Sequence, residues 1–161
     1  MIKPRLLNKF FMPDQNQLNI TSDAFIQGAT IPRRYTCDGV NINPPFEVYN
    51  IPAGTQTIAI IMEDPDAPQG TFTHWLAWNL PPDISIPEGR KHHMSGINSA
   101  GTAGYYGPCP PGGVHRYYFN IYALDAALSL ENGAGRAALE MEIEKHVLAA
   151  GSLMGLYQRK K

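Results

Sequence analysis

The sequence predicts a mainly β, single-domain protein, and three observations carry that expectation. Glycine and proline number 15 and 14 in 161 residues, about 18% where average usage gives roughly 12%, which suits many short elements joined by tight turns. Three runs rich in β-branched and aromatic residues stand out, Thr57–Met62, Phe72–Leu80 and Arg116–Leu124. Only one stretch, Arg136–Ala149, has helical periodicity. A chain of this length buries a sizeable core without staples.

Each element has its own local reason. In Thr57-Ile58-Ala59-Ile60-Ile61-Met62 apolar side chains fall on both parities, as in a strand covered on both faces. Phe72–Leu80 is ended by Pro81-Pro82, and Arg116–Leu124 is the most aromatic run. Leu18–Thr21, Phe46–Tyr49 and Ser152–Tyr157 are shorter strand candidates. Turn chemistry separates them at Cys37-Asp38-Gly39, Pro44-Pro45, Pro52-Ala53-Gly54, Asp64–Gly70 and Gly107–Gly113. In the helical stretch Leu139, Ile143 and Val147 recur every four residues, with Gly151 as its expected stop. Between Leu80 and Arg116 lie 35 residues without a convincing strand; a connection of that length inside a compact domain is expected to be functional or packed on the body.

Charge excludes one class of partner. The formal net charge is −1, yet residues 10–158 carry 7 basic against 14 acidic side chains, because Lys3, Arg5, Lys9, Arg159, Lys160 and Lys161 sit at the two ends. Nucleic-acid binding is mostly electrostatic, so an acidic body argues against it. The basic ends read as solvated and frayed, which places a tail at 1–16, the domain at 17–158 and a basic end at 159–161. No window reaches the roughly 18 apolar residues of a membrane span, and Asn8-Lys9 interrupts the apolar start that a secretory signal needs. The expectation is a cytoplasmic protein in which Cys37 and Cys109 are two reduced thiols.

Three polar clusters sit where strands meet turns. Asp64-Pro65-Asp66-Ala67-Pro68 follows a buried strand, and its prolines hold the two carboxylates in place; the same segment also reads as a turn whose carboxylates cap backbone N–H groups. His74 interrupts an apolar strand, either as a hydrogen-bonded core residue or as a functional one. His115-Arg116-Tyr117 opens the aromatic strand after the proline loop. His92-His93 lies in a polar loop, and His146 is expected to pair on the helix surface with Glu142. A Gly-x-Ser-x-Gly elbow, His-x-x-x-His, Cys-x-x-Cys and a phosphate-binding Gly-rich Lys-Ser/Thr loop are all missing. Two histidines and a carboxylate can bind a metal, but nothing in the pattern requires one, and no metal or cofactor is expected.

Taken together, Asp64-Pro65-Asp66-Ala67-Pro68, Thr73-His74-Trp75 with Asn79, and Gly107-Pro108-Cys109-Pro110-Pro111 leading to His115-Arg116-Tyr117 resemble the phosphatidylethanolamine-binding protein family, and within it the bacterial and archaeal Raf-kinase-inhibitor-like branch. Tyr35-Thr36-Cys37-Asp38-Gly39, Tyr122-Ala123-Leu124-Asp125 and His146–Ala149 are also similar to that branch, and the resemblance spans about residues 17–158. It implies a Greek-key fold of antiparallel sheets with helical elements near the C-terminus. It also implies a small anion pocket with Asp64, His74 and His115 as its floor and Pro65, Asp66, Gly107, Cys109, Pro110 and Tyr117 around them. The implied ligand is a phosphate-like or carboxylate group, such as a phospholipid head group, and members of the branch often form homodimers.

A carboxylate in an anion site repels its ligand unless it is paired. An imidazole N–H donated to Asp64 would satisfy it and fix that ring's tautomer, leaving the other ring nitrogen or the second histidine for the ligand. Affinity is then modest and falls as pH rises and imidazolium is lost. The expected function is a non-enzymatic binding protein, regulatory toward a protein partner. One alternative is a small hydrolase or phosphoryl-handling enzyme with His74 and His115 as acid and base, Asp64 as orienter and Cys109 as the one plausible side-chain nucleophile. Another is an inhibitor of a protein kinase or a protease acting by surface contact.

Overall fold

The structure, a computed structural model, describes residues 16–91 and 93–160. The tail at 1–15, His92 and Lys161 lie outside the described residues. The elements are β1 (Asn19–Thr21), β2 (Phe46–Tyr49), β3 (Thr57–Asp64), β4 (Phe72–Leu80), β5 (Ser85–Ile86), β6 (Met94–Ser95), β7 (His115–Leu124), α1 (Arg136–His146) and β8 (Val147–Tyr157). They form a five-stranded antiparallel sheet in the order β6-β4-β3-β7-β8 and a three-stranded one in the order β1-β2-β5. Between β4 and β7 the chain crosses from one side of β3 to the other, as a Greek-key connection requires.

β3 is central, and its period of two divides the core. Ile58, Ile60 and Met62 face the small sheet, where they share a cluster with Phe46, Val48 and Phe119. Ala59 and Ile61 face the other way, toward Leu139 and Ile143 of α1 and Leu128. The large sheet is thus sandwiched between the small sheet and the helix, which is why β3, β4 and β7 read as continuous apolar runs. The edge strand β8 is covered along its outer side: Leu18 N–H donates to Ala150 (2.9 Å), Gly28 N–H to Met154 (2.8 Å) and Ile31 N–H to Leu156 (2.7 Å).

Four expectations are corrected. The helix stops at His146, and β8 begins at the next residue, with Val147 already extended at ψ 128°. Pairing with β7 overrides the local helical pattern. Gly151 is therefore a strand residue opposite Ile121, and a side chain there would strike the backbone of Leu18. Cys37 and Cys109 are joined in a disulfide, because Cys37 N–H donates to the Pro108 carbonyl (3.1 Å) and sets the two loops side by side across 72 residues of chain. His146 Nδ1 pairs with Asp125 (2.8 Å), not with Glu142, which takes Lys145 instead. Arg159 is held by Asp38 (2.8 Å) rather than frayed.

The long connection from Leu80 to His115 is ordered by packing. It lends β5 to the small sheet and β6 to the large one, and Asn98 knots its middle by accepting from Ala100 N–H (3.0 Å) while donating to the Gly104 carbonyl (3.0 Å). No helix among the described residues is long and apolar enough to cross a membrane.

Candidate functional site

At the end of the large sheet where β3 finishes and β4 and β7 begin, neighbouring residues diverge to opposite faces. Glu63 and Thr73 turn toward α1, where both bind Arg136, the first helical residue. Asp64 and His74 turn the other way. The register supplies the reason for His74: Met62 pairs with Trp75 but Glu63 with Thr73, so His74 is the extra residue of a β-bulge. A bulge re-aims a side chain that strict alternation would send elsewhere. His115, the first residue of β7, shares the face of Tyr117 and Phe119.

These residues enclose a cavity of about 190 Å³. Asp64, His74, His115 and Tyr117 form its floor, Cys109, Pro110 and Pro111 one wall, and Ala67, Pro68, Phe72 and Tyr106 the rest. The floor is deeply buried, with Asp64 at 3%, His74 at 4% and His115 at 7% exposure. Of the nine residues expected to surround a ligand, six line the cavity; Pro65, Asp66 and Gly107 stand behind it. Asp66 is drawn outward by Arg116, which donates through Nη2 (2.7 Å), Nε (2.9 Å) and backbone N–H (2.9 Å). That pairing holds the Asp66 carboxyl down at about 2. Gly107 is buried against the Asn41 side chain and the Tyr35 carbonyl, where no Cβ fits, and its N–H donates to Asn41 (2.9 Å).

Both oxygens of Asp64 are occupied by donors. Oδ1 accepts the Asp66 N–H (2.7 Å), so the turn-capping reading holds, and Oδ2 accepts Nδ1 of His115 (2.7 Å). The Nδ1 of His74 donates to the Tyr106 carbonyl (2.6 Å), so His74 is also hydrogen-bonded as a core histidine would be. A carbonyl or carboxylate cannot donate, which places the Nδ1 proton on both rings and leaves each Nε2 outside these two bonds. Burial lowers the His74 pKa, while the backbone at Tyr106 and the nearby Asp64 carboxylate pull it the other way. The Tyr117 hydroxyl is buried with no hydrogen-bond partner among the described residues. Burial, and then the Asp64 charge, raise its pKa, so it remains a donor.

Sequence reasoning did not name Ala67, Pro68, Phe72, Tyr106 or Pro111 as site residues. Phe72 was within reach, since it shares a face with His74 two residues along β4, and their ring centroids are 4.7 Å apart. Tyr106 reaches the site only because its N–H donates to the His74 carbonyl (3.0 Å), a pairing that spacing does not reveal. Among the described residues no group of three His, Cys, Asp or Glu side chains is placed to hold a metal ion.

Comparison with known proteins agrees with this architecture. The family profile described as phosphatidylethanolamine-binding protein matches residues 21–158. A UPF0098 protein of Pyrococcus horikoshii is 48% identical over 150 residues, covering 86% of this chain and 76% of its own. The crystal structure of a phosphatidylethanolamine-binding protein homologue from Chlamydia trachomatis is similar at a TM-score of 0.85 and 39% identity, over 90% of this chain and 99% of that one. YbcL of E. coli, a member of the mammalian family of that name, is similar at a TM-score of 0.81 and 25% identity, over 89% and 99%.

Proposed function

The chain belongs to the phosphatidylethanolamine-binding protein family, and we propose that it is a non-enzymatic binding protein whose cavity takes a small phosphate-like or carboxylate group. One observation carries the reading: the carboxylate on the cavity floor has donors on both oxygens, while the two imidazoles beside it make these bonds through Nδ1 and keep Nε2 outside them. Asp64 then no longer repels an anion outright, and it orients His115. Tyr117 offers a further donor. Among the described residues no Lys or Arg lines the cavity, so the ligand is held through protons rather than fixed charge. A neutral Nε2 accepts from a protonated phosphate or carboxylic acid, and a protonated one donates to the anion.

The sign of the pH dependence follows. His74, with its pKa lowered by burial, is neutral at neutral pH. An anion stabilises the charged ring, so binding takes up a proton and tightens as pH falls. Sulfate keeps its charge over this range and is the cleaner probe. Calorimetry is expected to show sulfate binding severalfold tighter near about pH 5.5 than near about pH 8.5. Equal affinity at both would remove the imidazolium from the account, and no binding at either would remove the anion site.

A second reading draws on the Asp64–His115 pair, since an oriented imidazole is what a general base requires. Its nucleophile must be water, because the Cys109 sulfur is spent in the disulfide. Turnover of a phosphate-ester panel, lost in His115→Ala with the fold intact, would establish it. The regulatory role toward a kinase or protease, the homodimer and the cytoplasmic location belong to the same proposal. Inhibition assays, sedimentation and thiol titration of protein trapped in cells test them in turn.

A further inference from the structure

We propose that the Cys37–Cys109 disulfide is a reducible clamp on the cavity wall, so that a dithiol reductant lowers the affinity of the pocket. The proposal deepens, and in its binding consequence rests on, the reading of the cavity as an anion site. Cys109 lines the cavity together with Pro110 and Pro111. This wall belongs to no strand: regular pairing resumes only where His115 meets Tyr157. Prolines 108, 110 and 111 have no N–H to donate, so the wall has little means of anchoring itself through its own backbone. Upstream it is held at Tyr106, Gly107 and Pro108 by hydrogen bonds to His74, Asn41 and Cys37. Beyond Pro108, the covalent tie at Cys109 takes over.

The other end of that tie is firm. The Thr36 side chain bonds to the Arg33 carbonyl (2.8 Å), and Arg33 Nε donates to the Asp38 carbonyl (2.8 Å). The Asp38 carboxylate accepts from Tyr157 (2.7 Å) and from Arg159 (2.8 Å). A rigid turn thus holds a proline-stiffened wall that lacks a ladder of its own. Both cysteines are half-buried, within reach of an attacking thiolate. In the reaction the S–S bond breaks and takes up two electrons and two protons from an external dithiol, giving two thiols while the dithiol closes to its own disulfide. Freed of the tie, the wall samples more conformations, and ligand binding must then order it again.

The experiment compares oxidised protein, dithiol-reduced protein and Cys37→Ser, measuring sulfate binding by calorimetry, amide exchange across residues 105–114 and far-UV dichroism. Reduced protein and Cys37→Ser are expected to bind sulfate roughly five- to tenfold more weakly. Exchange should rise in 105–114 while β3 and β7 keep their protection. Reoxidation should restore the wild type and leave Cys37→Ser unchanged. Equal affinity and equal exchange in both redox forms overturn the clamp. So does loss of the sheet signal on reduction, which would make the bond a global staple. If no form binds sulfate, the anion reading fails, and the exchange of 105–114 alone decides whether the bond clamps the wall.

Discussion

Two carboxylate–imidazole pairs in this chain have nearly the same geometry and opposite surroundings. Asp64 and His115 meet at 2.7 Å with side chains 4% and 9% exposed; Asp125 and His146 meet at 2.8 Å with side chains 49% and 32% exposed. The first pair closes the floor of a cavity, and the second ties the end of α1 to the turn after β7. Contact distance therefore does not separate the cavity floor from the surface. Burial does, because water and salt screen the outer pair, while little water comes between the inner carboxylate and imidazole.

The sharpest break of that comparison is His115→Ala against His146→Ala. Removing His115 strands a buried carboxylate, and urea denaturation is expected to show a loss of about 3 kcal/mol; sulfate binding should vanish with it. Similar small losses for both variants would mean that burial does not distinguish the pairs.

Gly107→Ala separates enclosure from pairing. The new methyl meets Asn41 and the Tyr35 carbonyl, so the wall shifts while Asp64 and His115 keep their contact. A cost of about 1–3 kcal/mol is expected, with weakened sulfate binding. Unchanged binding would show that the wall is not needed.

Asp66–Arg116 is the intermediate case, with side chains 28% and 47% exposed. Its folded pKa lies below the ordinary carboxylate value, so the stability it contributes is present above about pH 4 and is lost as pH falls toward about 2. Asp66→Asn should remove at most about 1 kcal/mol, measured as a smaller difference in melting between pH values either side of that window. A steeper acid transition in the variant than in the wild type would reverse the assignment. The smallest effect is that of His146→Ala, within about 0.5 kcal/mol and reduced further by salt.

Much of the site was legible because its parts lie in strands whose ends carry polar residues. Asp64 stands out, with Glu63, at the end of the five apolar residues Ile58–Met62, and His74 and His115 stand out within or before apolar runs. Asp66 and Gly107 belong to the same motifs but support the site from behind, since spacing along a chain does not say which carboxylate faces inward. The helix was overextended because Val147 continues the spacing of Leu139 and Ile143, whereas the fold needs it for pairing with Leu124. The His146 partner was misjudged for a similar reason. Glu142 is close in sequence, but Asp125 is brought in by the strand before it.

Local composition and periodicity determined the strand-rich class, the doubly buried β3, the late helix and the polar residues at the strand ends, because these depend on neighbours within a few positions. Only the tertiary structure decided that Asp64 and His115, 51 residues apart, are hydrogen-bonded, that the bulge aims His74 beside them, and that Cys37 reaches Cys109. Each of these depends on strand register and on loops brought together by sheet pairing. Such long-range contacts leave no periodic trace in the chain that forms them.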